Sequence, residues 1–258
     1  MLFGIHDFIN SQPILEPLIK RAVGFEIRTD SPARLADQLS SGELDVAMIP
    51  AIEFLKNADR YRILPNISIS SRNKVGTVLL VSRVPLDEIG TLALDERSRT
   101  SVALLQVLYS KMLPAGVKTE SQEPDPEKML STHDAALIIG DQALGFSKEN
   151  LTVYDLSEEW FNSTGKTFVH AVIAVRENIN VELARALMDA MQEGIQNIEG
   201  IARTQARKTG YPVTLLQDYL MNKIRYDFGD EEMEGLVHFQ FLCHDNNLIP
   251  KIYPLKLV

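Results

Sequence analysis

Phe25-Glu26-Ile27-Arg28-Thr29-Asp30-Ser31-Pro32, followed by Gly42-Glu43-Leu44-Asp45-Val46-Ala47-Met48-Ile49-Pro50, decides the fold. Residues 25–28 read as a strand. Asp30-Ser31-Pro32 then opens a helix: a side-chain cap followed by a proline in the first turn, where the missing N–H costs nothing. Leu35 and Leu39 lie four apart on its buried face, and Gly42 stops it. Residues 45–49 run into Pro50 as a buried strand. A strand, a helix and a second buried strand in succession predict an α/β architecture with parallel strands.

The same alternation extends in both directions. Residues 2–5 form a short strand ahead of Asn10-Ser11-Gln12-Pro13. Strands are expected at 67–70, 75–82 and 92–94. Ser98-Arg99-Thr100-Ser101 then opens a long helix with Val102, Leu105, Leu108 and Met112 on one stripe. Pro124 to Pro126 introduces a short helix reaching about Ser131. Residues 135–139 are a buried strand that breaks at Gly140-Asp141, and 168–175 are the last strong strand. From Asn180 onward the pattern is helical, with Leu183, Leu187 and Met191 at helical spacing. Two further helices are expected at 215–224 and 230–243.

With 258 residues, 45% of them hydrophobic and 24% charged, the chain has an ordinary globular composition and enough length for a large core. Its net charge of −9 argues against a nucleic-acid footprint. An anionic ligand stays compatible with that charge, because backbone amides and hydroxyls bind anions locally. Met1-Leu2-Phe3-Gly4-Ile5 carries no basic region or long apolar run, and nothing approaches the ~18 apolar residues of a membrane span. A cytoplasmic protein without membrane contact is therefore expected. Cys243 is the only cysteine, so no internal disulfide can form. The histidines are scattered, no metal-ligand spacing is present, and no Walker-type or Gly-x-Gly-x-x-Gly run implies a nucleotide. No metal or cofactor is expected.

Several segments together resemble the chorismate dehydratases of the futalosine route to menaquinone. They are Asn10-Ser11-Gln12-Pro13, Gly42 to Pro50, Leu64 to Ile69, Val75-Gly76-Thr77-Val78-Leu79-Leu80, Ser98 to Val102, Asp134 to Leu144, and Tyr154-Asp155-Leu156 through Trp160 to Thr164-Gly165. The resemblance implies a two-lobed type II periplasmic-binding-protein-like fold with a ligand cleft between the lobes. Pattern and resemblance together place the first lobe at 1–82 and 175–258 and an inserted second lobe at 83–174, with crossings near Arg83 and Val175. The implied activity is loss of water from chorismate, a dicarboxylate, to give 3-[(1-carboxyvinyl)oxy]benzoate. The chain departs from the family pattern at Gly76, Thr77, Phe8, Thr167 and His170, which leaves a shifted substrate preference open.

On this reading Asn10 and Thr77 are the candidate catalytic residues. Asn10 follows a strand, and its carboxamide can donate to a carboxylate and accept from a hydroxyl at once; a plain helix cap is the alternative. Thr77 keeps a hydroxyl in an apolar strand, where packing alone would also tolerate it. The candidate substrate-binding residues are Ser11, Gly76, Ser98, Thr100, Ser101, Gly140, Asp141, Thr164 and Gly165. Ser98, Thr100 and Ser101 crowd a helix start, where free N–H groups and hydroxyls make a carboxylate site or simply cap the helix. Gly76 would let the backbone approach a ligand. Gly140 and Asp141 end a buried strand, where ligands gather in open α/β sheets; Asp141 also suits a helix cap. Thr164-Gly165 offers hydroxyl and amide donors or a plain turn. His6, Asp7, Asp141 and His170 are candidate bases, but the enolpyruvyl carboxylate of the substrate itself is the favoured one.

Two other functions fit the same pattern. One is a non-catalytic receptor for small anions on this scaffold. The other is the sister enzyme that makes dihydroxynaphthoate, ranked lower because Asn10-Ser11 stands where its cysteine-bearing motif would.

Overall fold

The computed structural model describes residues 1–21, 25–110, 112–176 and 181–258. In chain order the elements are β1 (Leu2–Ile5), α1 (Gln12–Arg21), β2 (Glu26–Thr29), α2 (Pro32–Ser41), β3 (Val46–Pro50), α3 (Ala51–Lys56), β4 (Arg62–Ser71) and β5 (Val78–Ser82). Then come β6 (Thr91–Asp95), α4 (Arg99–Tyr109), β7 (Lys118–Gln122), α5 (Pro126–Thr132), β8 (Ala135–Ile139), α6 (Gln142–Gly145), β9 (Thr152–Asp155), α7 (Leu156–Thr164) and β10 (Phe168–Val175). The chain ends in α8 (Val181–Gln196), α9 (Ile198–Thr209), α10 (Val213–Asp218), a π-helical turn (Tyr219–Lys223) and α11 (Asp230–Asp245).

The unit read first from the sequence forms as expected. Ser31 caps α2 by accepting from the Arg34 N–H, Pro32 stands in its first turn, and Leu35 and Leu39 are buried. Gly42 closes it with φ 89°, a left-handed conformation that glycine adopts without a Cβ penalty. β3 is buried along its whole length because both faces of the sheet are covered.

Two five-stranded sheets result, ordered β2-β1-β3-β10-β4 and β7-β6-β8-β5-β9. In the first, β1 pairs parallel with β2 and β3, while β10 runs antiparallel to β3 and β4. In the second, β6 pairs parallel with β7 and β8, while β5 runs antiparallel to β8 and β9. The expected parallel strands are present, and each sheet also takes in antiparallel ones.

Strand pairing moves both crossings toward the N-terminus. β5 belongs to the second sheet and β10 to the first, so the chain passes between sheets at 72–77 and 165–167 instead of near Arg83 and Val175. An apolar run such as Val78-Leu79-Leu80-Val81 carries no mark of which sheet it joins; only its partners decide. At the second crossing Trp160 of α7, Phe168 of β10 and Phe239 of α11 meet edge to face, with ring centroids 5.1–5.8 Å apart.

The helix of Ser98 to Met112 is shorter than its stripe suggested. It ends at Tyr109, and Met112 is 57% exposed. Leu187 and Met191 of α8 are fully buried as their spacing requires; Asn180 and the Leu183 side chain lie outside the described residues. No helix among the described residues is long and apolar enough to cross a membrane.

Candidate active site

The C-terminal ends of β1, β3, β6 and β8 converge, where ligands collect in α/β sheets. Between the two sheets they enclose a cleft of about 600 Å³, open solvent at its mouth included. Asn10, Thr77, Ser98, Thr100, Ser101 and Gly140 all line it, together with apolar surface from Phe8, Ile69, Val75, Val78, Ile139 and Ile224. Residues far apart in the chain, nominated separately, therefore share one cavity.

One wall is the N-terminus of α4. Ser98 stands in the cap position without a side-chain bond to the helix, and the first turn holds no acidic residue. The capping alternative is thus not realised for Ser98, and the first-turn N–H groups keep their partial positive charge. Thr100 Oγ1 accepts from the Ile52 N–H at 3.3 Å, which ties this turn to α3.

The lining also carries Asn10 and Thr77. The Asn10 backbone carbonyl accepts from Tyr226 Oη at 2.9 Å, while its side-chain Oδ1 is buried without a partner. Thr77 Oγ1 lies 3.1 Å from Tyr219 Oη. Burial holds the Tyr219 phenol well above its ordinary range, with the Thr77 hydroxyl and the Asn10 amide opposing that shift. A neutral hydroxyl pair thus stands beside an amide with an unused acceptor. Tyr219 was not singled out in the sequence. It sits on the π-helical turn, and such turns recur at functional sites, but their register cannot be read from helical spacing.

Arg97 is the second residue the sequence did not reveal. Its Nε and Nη2 grip Asp95 at 2.9 and 2.6 Å, and its guanidinium lies 5.3 Å from the Phe8 ring centroid. Arg99 also lines the cleft, but Asp37 holds it bidentately at 2.8 Å and Glu53 lies 3.4 Å away. Its charge is matched before any ligand arrives.

The remaining nominated residues do not line the cavity. Ser11 is fully buried, with its hydroxyl donating to the His6 and Phe8 carbonyls of the turn after β1. The Gly76 N–H donates to Asp155 Oδ2 at 2.6 Å, and a Cβ on Gly76 would face Lys223 Nζ at 3.7 Å rather than the cleft. Asp155 also caps α7, so one buried carboxylate fixes both the helix and the first crossing. Both Asp141 oxygens accept from the Ile9 N–H at 3.1 Å, joining β8 to the turn after β1; burial pushes this carboxyl up to about 6. Asp141 makes no cap bond to α6. Thr164 donates to the Trp160 carbonyl at 2.7 Å, and Gly165 ends α7 at φ 69°, so this pair terminates a helix away from the cleft. Gly140 does face the cleft: its N–H donates to the Thr77 carbonyl at 2.9 Å, and a Cβ there would lie 3.5 Å from the Phe8 ring.

Two histidines complete the lining. Burial pushes both His6 and His170 down to about 4, so both rings are neutral near pH 7. His170 Nε2 lies 2.8 Å from Ser71 Oγ. Asp7, a further candidate base, is exposed and does not line the cleft.

Residues 1–245 match the family model for menaquinone biosynthesis. The chain belongs to this menaquinone-biosynthesis family. Over 257 residues it is 33% identical to the chorismate dehydratase of Thermus thermophilus, covering 92% of this chain and 93% of that protein. A crystal structure of an Archaeoglobus fulgidus protein superposes with a TM-score of 0.80 at 17% identity, covering 96% of this chain and 98% of the other. The alkanesulfonate-binding protein of Xanthomonas axonopodis pv. citri superposes at 0.66 with 13% identity, covering 97% and 94%. This family member therefore has an α/β, periplasmic-binding-protein-like fold.

Proposed function

We propose that this protein is a chorismate dehydratase, a hydro-lyase that converts chorismate to 3-[(1-carboxyvinyl)oxy]benzoate in the first step of the futalosine route. We also propose two lobes, each built on one of the sheets, that close over the substrate at the 72–77 and 165–167 crossings. Family membership and the similarity to the Thermus enzyme support the reaction. The observation that carries it here is the Asn10 side chain: a carboxamide whose oxygen is buried without a partner, in a cleft that is also lined by an uncapped helix N-terminus. A buried polar atom without a partner costs about 1–3 kcal/mol, which a ligand hydroxyl would recover.

The substrate has two carboxylates, an enol ether and a ring hydroxyl. The α4 N-terminus suits a carboxylate and the apolar walls suit the ring, while Arg97, like Arg99, is already paired with an aspartate. Elimination removes a proton from the carbon bearing the ether and hydroxide from its neighbour, and aromatisation drives it. The enzyme's task is then orientation and support of developing charge. Asp141 is engaged with Ile9, and the two cleft histidines are weak bases because burial disfavours their charged forms. The enolpyruvyl carboxylate lies next to the proton and is the base this cleft favours.

The test is incubation of purified protein with chorismate, followed by absorbance and mass. Formation of the benzoate product at an enzymatic rate is expected. Tight binding of chorismate without turnover would make the protein a small-anion receptor instead.

A further inference from the structure

His6 stands at the end of β1, four residues before Asn10, and lines the same cleft. Its side chain is almost wholly enclosed, with 4% of the residue exposed, and the ring stacks at a tilt against Phe8 with centroids 4.8 Å apart. Nδ1 is buried with no hydrogen-bond partner. That orphan decides which nitrogen carries the proton. A buried N–H with no acceptor forfeits a strong donor, whereas a bare ring nitrogen forfeits only an acceptor. The cheaper tautomer leaves Nδ1 bare and puts the proton on Nε2, on the ring edge left for the cavity.

We infer that His6 is a neutral Nε2–H donor to the substrate oxygen that leaves as water. This deepens the dehydratase reading and rests on it. The ring C–H bond breaks, and its electron pair becomes the new ring double bond. The C–O bond breaks, and the departing hydroxide takes the abstracted proton to become water. His6 supplies a hydrogen bond that strengthens as negative charge grows on that oxygen, and it gives up no proton. A donor of this kind, fixed in an apolar cleft, acts on the transition state more than on the bound substrate. Burial keeps the ring neutral, so the donor does not change across the physiological pH range.

The side chains that imitate each nitrogen differ, which makes the test sharp. Gln places an amide N–H near the position of Nε2, Asn places one near Nδ1, and Phe keeps the ring shape without either nitrogen. With chorismate, His6→Phe and His6→Asn should lower kcat by about a hundredfold with KM changed less than threefold, the usual loss for one such donor. His6→Gln should recover most of that loss. Nitrogen NMR of imidazole-labelled, ligand-free protein should show the Nε2–H tautomer with no protonation between about pH 6 and 8. That readout stands whether or not the wild-type protein turns over chorismate. A loss confined to KM would move the contact to a substrate carboxylate and overturn the inference, as would rescue by Asn rather than Gln, or an Nδ1–H tautomer.

Discussion

Asn10 offers the clearest separation of chemistry from structure at the scale of one residue. Asn10→Asp keeps size but exchanges two donors for a negative charge beside an anionic substrate. Like charges a few ångströms apart in a desolvated cleft repel by several kcal/mol at intermediate dielectric. Turnover of chorismate should fall by roughly a hundredfold or more, since each ~1.4 kcal/mol is tenfold. Stability should change only modestly, because Tyr226 holds the backbone carbonyl and the side-chain oxygen has no partner, which leaves the amide's hydrogen bond to Tyr219 as what the side chain gives the fold. Asn10→Ala, which removes that hydrogen bond, should cost about 1 kcal/mol. Steady-state turnover beside a thermal melt for both variants checks this, and near-normal turnover in Asn10→Asp would leave no catalytic part for the side chain. Asn10, Thr77 and the Ser98–Ser101 cluster were legible because each is polar at a strand or helix end. Arg97 and Tyr219 were not, since a loop arginine and a tyrosine on a π-turn carry no periodic signal of direction. Ser11 and Thr164 misled for a related reason: the hydroxyls that bind ligands also satisfy carbonyls at turns and helix ends.

Helices and strands were easiest to read where burial imposed a pattern. β10 spans the expected residues, and α2 carries its cap, proline and stop glycine where the sequence put them. β7, Lys-Thr-Glu-Ser-Gln, was missed because it is a mostly exposed edge strand with no apolar alternation. β9, at the other edge of that sheet, was missed too. One close approach between helices was also invisible. Gly194 of α8 lies so near α1 that a Cβ would sit 1.8 Å from the Pro13 carbonyl oxygen and 2.4 Å from Pro17 Cγ. Mid-helix Gly→Ala ordinarily stabilises by ~1 kcal/mol. At Gly194 the sign should reverse, because backbone cannot yield as a flexible side chain does, and overpacking typically costs ~1–3 kcal/mol. Since α1 begins two residues after Asn10, parting the helices should also lower kcat on chorismate. Urea melts of Gly194→Ala decide the matter: a midpoint above wild type would show that the crossing tolerates a methyl group.

At the scale of the whole molecule, the two sheets meet through groups whose protonation differs between folded and unfolded chains, so acid should act on the cleft and the fold together. His6 and His170 are held near 4 against an ordinary 6.5. Their folded values are depressed, so the stability they contribute is present above 6.5 and is lost as pH falls toward 4. Asp141 runs the other way. Its folded value is raised from 3.8 to about 6, so its contribution is full below 3.8 and is lost as pH rises through 6. Between pH 6.5 and 4 the unfolded chain thus binds up to two extra protons at the histidines, against one that the folded chain binds at Asp141. The difference leaves a net loss of up to a few kcal/mol on acidification, at ~1.4 kcal/mol for each proton and pH unit. Urea melts at half-unit steps from pH 7 to 4.5 should show the midpoint falling throughout. Replacing His6 with Phe removes one of the two histidine contributions and should flatten the curve, while Asp141→Asn removes one opposing contribution, leaving that of Asp155, and should steepen it. A wild-type midpoint that rises on acidification would mean that the buried carboxylates Asp141 and Asp155, both raised by burial, outweigh both rings. The join between the sheets would then be tighter in acid than at neutral pH.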